Sequence, residues 1–222
     1  MSGFSGSPKL TKGGLVVLAP GGGVVRRTIA LQYNPESLTR SYKVQGAGGD
    51  GGSERAQPFR LKGPAVETIK LEAQIDATDR LEFPHEKANE STVEFGIAPQ
   101  LAALEALINP SVDELMALDE ANSAGTLEII PPEAPLVLFV WGKNRVQAVK
   151  VVSLSITEEA FDPTLNPTQA KVSLDLQVMS TDDLGFAHRG GGIFMSHLKK
   201  RELMARAAGP ATLSSIGLTR LP

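Results

Sequence analysis

Alternation between apolar and polar positions is the dominant pattern of this chain, and it predicts β-strands. In VETIKLEAQID, residues 66–76, every second position from Ile69 to Ile75 is apolar and the positions between them are polar. A period of two is typical of a strand with one buried face. The same pattern recurs in residues 28–33, 38–44 and 171–178.

Other strands carry different patterns. Residues 15–19 form a short apolar run, and LVLFVWG, residues 136–142, is apolar almost throughout, which predicts a central strand covered on both faces. Residues 144–157 predict a long strand whose alternation slips at 148–149 and at 151–152. Such slips are typical of β-bulges.

A proline corner separates two of these strands. In TIALQYNPESLTRSY, Pro35 lacks a backbone donor and disfavours helical geometry at Asn34, so the chain is predicted to turn there. Glu36 and Ser37 are expected to remain in water.

Helical signals are concentrated in one insert, residues 98–121. Leu101, Leu104 and Ile108 share a face at helical spacing. Ser111 and Glu114 have the spacing of a capping box, which predicts a second helix with Val112, Leu115 and Met116 turned inward. Residues 79–96 are expected to be polar and irregular.

The predicted organisation is a mainly β, antiparallel domain over residues 1–183, followed by a C-terminal helical tail over residues 184–222. A loop at residues 45–57 with five glycines interrupts the β domain. Gly190-Gly191-Gly192 is interpreted as a linker, and residues 193–208 as one amphipathic helix.

Composition narrows the function classes. Apolar residues make up 41% of the 222 residues, charged residues 21%, and the net charge is −3, which favours a globular protein without a general attraction to nucleic acid. The absence of cysteine excludes disulfides and thiolate chemistry and suits a cytoplasmic protein. The apolar run near the N-terminus is shorter than the roughly 7–15 residues of a signal-peptide core, and neither a leader nor a membrane span is predicted.

No catalytic, cofactor or metal site is predicted, and we expect no enzymatic activity. The three histidines, His85, His188 and His197, lack the spacing of a helical metal site and are interpreted as solvent-facing. Four carboxylates cluster loosely and are interpreted as turn formers rather than an acid–base pair; they are Asp76, Asp79, Asp182 and Asp183.

Three further motifs are given structural interpretations. The triple glycine at residues 21–23 is followed by a strand and not by a helix, so it predicts a turn and not a phosphate loop. Asn89-Glu90-Ser91 matches a glycosylation triplet that is frequent by chance. The basic residues of the terminal helix are interpreted as a solvated face or as a contact to an acidic neighbour; they are Lys199, Lys200, Arg201 and Arg206.

Three segments in order resemble one protein family. LQYNPESLTRSY, PLVLFVWGKN and VVSLSITEEAFDPTLNPTQAKVSLDLQV are similar to motifs of the tube-like baseplate proteins of contractile injection systems, which are relatives of phage tail baseplate proteins. The resemblance spans about residues 15–180. It includes the corner at Asn34-Pro35, the strand end at Trp141-Gly142 and the turn at Phe161, Asp162 and Pro163.

The resemblance implies both a fold and a position within an injection particle. The fold is a tail-tube-like β-sandwich or barrel, built from two antiparallel sheets with a helix on one side. Six copies form a ring between the trimeric spike and the inner tube, contact other baseplate subunits and initiate the tube. Assembly in the cytoplasm and incorporation into an injection particle are expected. The loop 45–57 is expected to be an arm between subunits or between rings, and the terminal helix is expected to attach to another baseplate component.

Two alternatives remain open at this stage. The chain resembles a stacked inner tube subunit of the same machine, although an appended helix is of little use to a repeating subunit. Family members often end in a peptidoglycan-binding LysM module, and ATLSSIGL, residues 211–218, resembles the start of one. Four residues follow, too few for that module, so peptidoglycan binding is the less favoured alternative.

Overall fold

One antiparallel sheet organises the protein. The computed structural model describes residues 10–19, 23–46, 60–123, 134–209, 213–216 and 218–220. Seven strands lie in the order β2-β1-β5-β6-β7-β4-β3, and every neighbouring pair is antiparallel. Their bounds are β1 Gly14–Leu18, β2 Val25–Ala30, β3 Leu38–Lys43, β4 Val66–Asp76, β5 Leu136–Val140, β6 Val146–Phe161 and β7 Pro167–Val178. The predicted mainly β, antiparallel class is confirmed.

Helices lie before β5 and after β7. They are α1 Thr78–Leu81, α2 Glu90–Phe95, α3 Ala98–Glu105, α4 Val112–Ser123, α5 Thr181–Leu184 and α6 Arg189–Ala207, with 3₁₀ turns at Lys87–Asn89 and Leu213–Ile216. Helices α3 and α4 occupy the predicted insert. The preceding segment was expected to be irregular but contains α1 and α2, two short helices without the apolar periodicity that a sequence pattern can detect.

The connection between β2 and β3 shapes the whole sheet. These strands follow each other in the chain, yet they lie at opposite edges of the sheet. Gln32, just after β2, donates from Nε2 to the carbonyl of Asp76 at 2.7 Å and accepts from its N–H at 3.0 Å. Asp76 is the last residue of β4, five strands away from β2 in the sheet order. The sheet must therefore curl into an incomplete barrel, with the Gln32 amide joining its two sides.

Asn34 anchors the same connection. Its Oδ1 accepts from the N–H of Gly13 at 2.9 Å, and its Nδ2 donates to the carbonyl of Thr11 at 2.9 Å. A single amide therefore pairs the corner with the segment that leads into β1. The predicted turn at Asn34-Pro35 carries the chain from one sheet edge to the other.

Curling buries the inner face of the sheet against itself. Ile69 and Leu71 on β4 and Val172, Leu174 and Leu176 on β7 are at most 4% exposed, in the alternation that the sequence predicts. The resemblance implies two packed sheets, but here β6 pairs with both β5 and β7, so all strands belong to one continuous sheet.

The outer face of β5 is covered by the C-terminal helices. Val137 and Phe139 point into the barrel, whereas Leu138 packs in a second apolar cluster with Leu184 of α5 and Ile193 of α6. The prediction that this strand is covered on both faces is confirmed. Helix α6 thus packs on its own sheet, and its expected contact with another baseplate component stays a prediction.

The three glycines interpreted as a linker belong to the first turn of α6. A side chain at Gly190 would overlap Leu184, and one at Gly191 would overlap the carbonyl of Gly185. Glycine costs about 1 kcal/mol per residue in a helix relative to alanine. Close packing against α5 and the residue that follows it explains glycine at positions 190 and 191, whereas nothing in the described structure lies close to a side chain placed at Gly192.

Helix α4 differs from its prediction. Its capping box is present, with the Ser111 N–H bonded to Glu114 Oε2 at 2.7 Å. However, Val112, Leu115 and Met116, which were expected to point inward, are 70%, 51% and 58% exposed. No residue of α4 is buried.

Replacing Gln32 by alanine tests the closure of the barrel. Gln32→Ala removes both bonds to Asp76 and leaves partly buried backbone groups without partners, so we expect the free energy of unfolding to fall by about 1–3 kcal/mol. Urea denaturation measures the change. Glu36→Ala, at an exposed position of the same connection, is the matched control, and an equal loss in both variants would contradict the closing role.

Candidate functional site

The long outer edge of β6 is the first candidate for a functional surface. Strand β5 pairs with β6 only at Val146–Val149, so residues 150–161 pair with β7 alone among the strands that the structure describes. At about 3.3 Å per residue this edge extends for about 40 Å. A free edge presents unpaired N–H and C=O groups that can accept a further strand. The predicted bulge at 151–152 is confirmed by a register shift between Val151 and Ser153, but no shift occurs at 148–149.

An apolar groove runs beside this edge. It has a volume of about 530 Å³ and is lined by residues from the end of the α3 region, from β5 and from β6, including Leu107, Ile108, Leu136, Val151 and Leu154. Val152, at the bulge, is 57% exposed. An apolar groove next to unpaired backbone offers both contacts that a partner strand needs.

A second opening lies where the barrel fails to close. Strand β3 pairs with β4 only as far as Leu71, which leaves residues 72–76 of β4 facing β2 across a cleft of about 430 Å³. We call this opening the seam cleft. Its walls are apolar, its end is bounded by α3, and three cations lie at its lining: Lys12, Arg27 and Arg80.

One end of the barrel holds a buried charged cluster around Glu67. The carboxylate is 3% exposed and accepts from Tyr42 Oη at 2.7 Å, from Gln147 Nε2 at 3.0 Å and from Arg201 Nη1 at 3.3 Å. Arg40 Nη1 lies 3.8 Å away. Because Arg201 belongs to α6, the cluster fixes this helix to β4 and β3.

Positive charge exceeds negative charge in this Glu67 cluster. Arg145 is half-buried nearby, and desolvation together with the field of Arg40 lowers the pKa of its guanidinium. His197, one turn before Arg201, is 6% exposed, and neither ring nitrogen has a hydrogen-bond partner in the described structure. Desolvation lowers the pKa of the His197 imidazole. The negative charge of Glu67 raises it by a smaller amount, and the positive charges of Arg201, Arg145 and Arg40 lower it further, so the pKa is lowered overall.

The predicted interpretation of the histidines is only partly right. His85 is exposed, and His188 is half-buried with its Nδ1 accepting from the Gly190 N–H at the start of α6. The interpretation of His197 as solvent-facing is wrong. The imidazole lies on the face of α6 that packs toward the barrel. The sequence alone does not identify this face, because it is defined by how the helix docks.

The predicted turn carboxylates stay apart. Asp76 accepts from the Thr78 N–H at 2.7 Å, and Asp183 accepts from the Ser180 N–H at 2.8 Å as part of a capping box. Asp79 and Asp182 are exposed. Within the described ranges, no group of three or more His, Asp or Glu side chains could hold a metal, and no helix is long and apolar enough to cross a membrane.

Several interpreted segments fall partly outside the described residues. They are residues 47–57 of the glycine-rich loop, Gly21 and Gly22 of the triple glycine, and residues 211, 212 and 217 of the LysM-like stretch. Of the four basic residues on the terminal helix, Lys199, Lys200 and Arg206 are exposed, whereas Arg201 binds Glu67.

Sequence reasoning missed Glu67, although a signal was present. The apolar face of β4 was read from Ile69 to Ile75, and the same period extended by one step reaches Glu67. A carboxylate at an inward position predicts a buried partner. The sequence alone does not identify that partner, because Arg201 lies 134 residues away.

Comparison with known proteins gives little. No family model matches the chain, and no curated protein matches it. Among solved structures, one similar chain comes from the tail of an empty GTA particle with C6 symmetry, at 11% identity and a TM-score of 0.29, covering 74% of this chain and 89% of that chain. A TM-score of this size does not establish a shared fold, so function has to be inferred from this chain's own residues.

Neutralising Glu67 tests the cluster. Glu67→Gln keeps the shape but removes the carboxylate partner of Arg40 and Arg201. Because these two side chains are 35% and 38% exposed, we expect the free energy of unfolding to fall by less than the roughly 3–5 kcal/mol typical of breaking a fully buried ion pair. We expect α6 to lose protection in amide hydrogen exchange before the sheet does. Glu72→Gln, on the exposed face of the same strand, is the control. Unchanged α6 protection in Glu67→Gln would disprove the attachment.

Acidification tests the state of His197. The folded protein holds His197 neutral with a lowered pKa, so the unfolded state binds the proton more readily below its ordinary pKa of about 6.5. We expect α6 docking to weaken by at most about 1.4 kcal/mol per pH unit as pH falls below that value. Hydrogen exchange of α6 at pH 7.5, 6.5 and 5.5 measures this, with His197→Phe as the comparison. If the protection of α6 in His197→Phe falls with pH as steeply as in the natural sequence, the pH dependence arises from another group.

Proposed function

We propose that this chain is a structural subunit that assembles with copies of itself through its open sheet edges. The role is mechanical, and we propose no enzymatic activity. The observation that carries the proposal is the free edge of β6, residues 150–161, together with the apolar groove beside it. A monomer in water gains nothing from this combination, because a free apolar edge promotes aggregation.

The remaining edges suit a head-to-tail assembly. Strands β2 and β3 form the two ends of the sheet, and most of their residues are exposed. Their exposed cations include Arg26 and Lys43, and Glu158 is exposed in the far part of β6, whereas Arg40 and Glu159 already pair with Glu67 and Lys171 of the same chain. Different edges with opposite charge can pair between neighbours, and repetition of a heterologous contact closes into a ring when the rotation permits.

The place of this ring follows from the resemblance of the three motifs. We propose an inner baseplate ring of a contractile injection particle, with six copies that join the trimeric spike to the inner tube and initiate its assembly. The confirmed bulge at 151–152 lies within one of the three motifs. So does the turn after β6: desolvation favours a raised pKa at Asp162, but hydrogen bonds from Thr164 and Asn166 outweigh it and lower the pKa to about 2.

A stacked inner tube subunit is the second candidate within the same machine. It is favoured by the same edges, but α6 weighs against it because the helix covers the outer face of β1, β5 and β6. Copy number separates the two roles. One ring of this chain per particle supports the baseplate role, whereas rings along the length of the tube support the second. Particle images with the chain located in them provide this measurement.

Lysines on the β6 edge test the assembly. Val152→Lys with Thr157→Lys places two charges on exposed edge positions, and lysine on an edge strand opposes pairing. We expect rings and particles to be lost while the monomer remains folded, as measured by sedimentation velocity and circular dichroism. Ser173→Lys with His85→Lys adds the same charge at exposed positions away from the edge. Intact rings in the edge variant would disprove the proposed contact.

A further inference from the structure

Helix α4 has an apolar surface without a partner in the described chain, and it carries several carboxylates, of which Glu114 caps the helix through the Ser111 N–H. Val112, Leu115 and Met116 lie at helical spacing on one side and are all at least half exposed. The helix carries Asp113, Glu114, Asp119 and Glu120 and no basic residue. Within the described residues none of these carboxylates forms an ion pair. An isolated helix of this length is marginal in water, so α4 needs an external surface for stability.

The seam cleft has the complementary chemistry. Its walls include Ile29, Ile75, Val172 and Leu174, and its volume of about 430 Å³ is open to the outside. Lys12, Arg27 and Arg80 also line it, and none of them pairs with a carboxylate of the described chain. Apolar walls with unpaired cations fit an apolar segment that carries acidic residues.

In the folded chain, the apolar side of α4 points away from the rest of its own chain. The half-buried positions of α4 are Glu114, Leu118 and Ala121, which mark the side that faces its own chain. Val112 and Met116 lie on the other side of the helix. The cleft that receives them must therefore belong to another copy.

We propose that α4 of one copy docks into the seam cleft of the next, with Leu115 and Met116 between β2 and β4 and with Asp119 and Glu120 against Arg27 and Lys12. This inference rests on the proposed function, because it names the partner and the contact of the assembling subunit. The contact is head-to-tail: one copy gives the helix and receives the next helix in its own cleft.

Charge exchange tests the contact. The helix variant carries Asp119→Arg with Glu120→Arg, and the cleft variant carries Lys12→Glu with Arg27→Glu. Each variant alone should associate at least tenfold more weakly than the natural sequence in sedimentation velocity. An equimolar mixture should recover, because alternating copies restore opposite charges at both contacts, and six positions allow strict alternation. Glu86→Arg with Glu90→Arg, at exposed positions outside α4, is the control and should have no effect.

Cysteine pairing provides a second readout that does not depend on charge. The chain has no cysteine, so any disulfide must come from introduced residues. We expect a mixture of Met116→Cys and Ala103→Cys single variants to form a covalent dimer under mild oxidation, whereas Glu202→Cys with Ala103→Cys should not. Ala103 lines the cleft and Glu202 is exposed on α6.

The outcomes separate the two proposals. Rings that form normally in both charge variants, without the covalent dimer, would overturn α4 docking and leave the ring itself intact. A chain that carries both Met116→Cys and Ala103→Cys and forms a disulfide only within itself would also overturn α4 docking between copies. A natural sequence that stays monomeric at high concentration and is missing from particles would overturn the proposed function. Weakened single variants, a restored mixture and the covalent dimer would establish the contact.

Discussion

The position of β2 and β3 at opposite ends of one sheet is the constraint on which the structure depends. The connection at residues 31–37 can extend about 3.3–3.6 Å per residue, so the two edges cannot stay far apart. The sheet has to curl, and its inner face is then covered by its own strands together with α3, whose Leu101 and Leu104 belong to the same core. The Gln32 side-chain amide forms two hydrogen bonds with the backbone of Asp76, as a residue of a paired strand would. It does so where no strand of the described chain connects β2 to β4. The core of aliphatic residues on β4 and β7 follows from this closure.

Unequal strand lengths leave two open stretches in the curled sheet, which we propose as assembly surfaces. Strand β6 extends beyond β5, and β4 extends beyond β3. Each of these two longer strands therefore has a stretch that pairs with only one neighbouring strand among the described residues. The two stretches open onto different surfaces, the apolar groove beside β6 and the seam cleft beside β2. In the proposed assembly, two unlike openings give identical contacts that all point in one direction, which is the geometry of a ring and not of a two-fold dimer.

Local features were predictable from the sequence, and distant pairings were not. Alternation identified the buried faces of β4 and β7, and the proline corner and the capping box at Ser111 were also readable. The sequence does not show which strands lie at the edges, because the pairs that decide it are far apart in the chain, as with Gln32 and Asp76. Helix α4 was read as packed because its pattern is amphipathic. An amphipathic pattern shows that a helix needs an apolar partner, but not whether the same chain supplies it.

The Glu67 cluster determines which surfaces remain for assembly. Buried ion pairs add little net stability, since desolvation offsets much of their attraction, but they are costly to break and so define one arrangement. Here the arrangement that they define is α6 lying across the outside of the sheet, with Arg201 on Glu67 and Ile193 on the second apolar cluster. The outer face of β5 is then occupied by the chain itself. Lateral edges, the groove, the seam cleft and α4 are left exposed, and these are the surfaces that the proposed assembly uses.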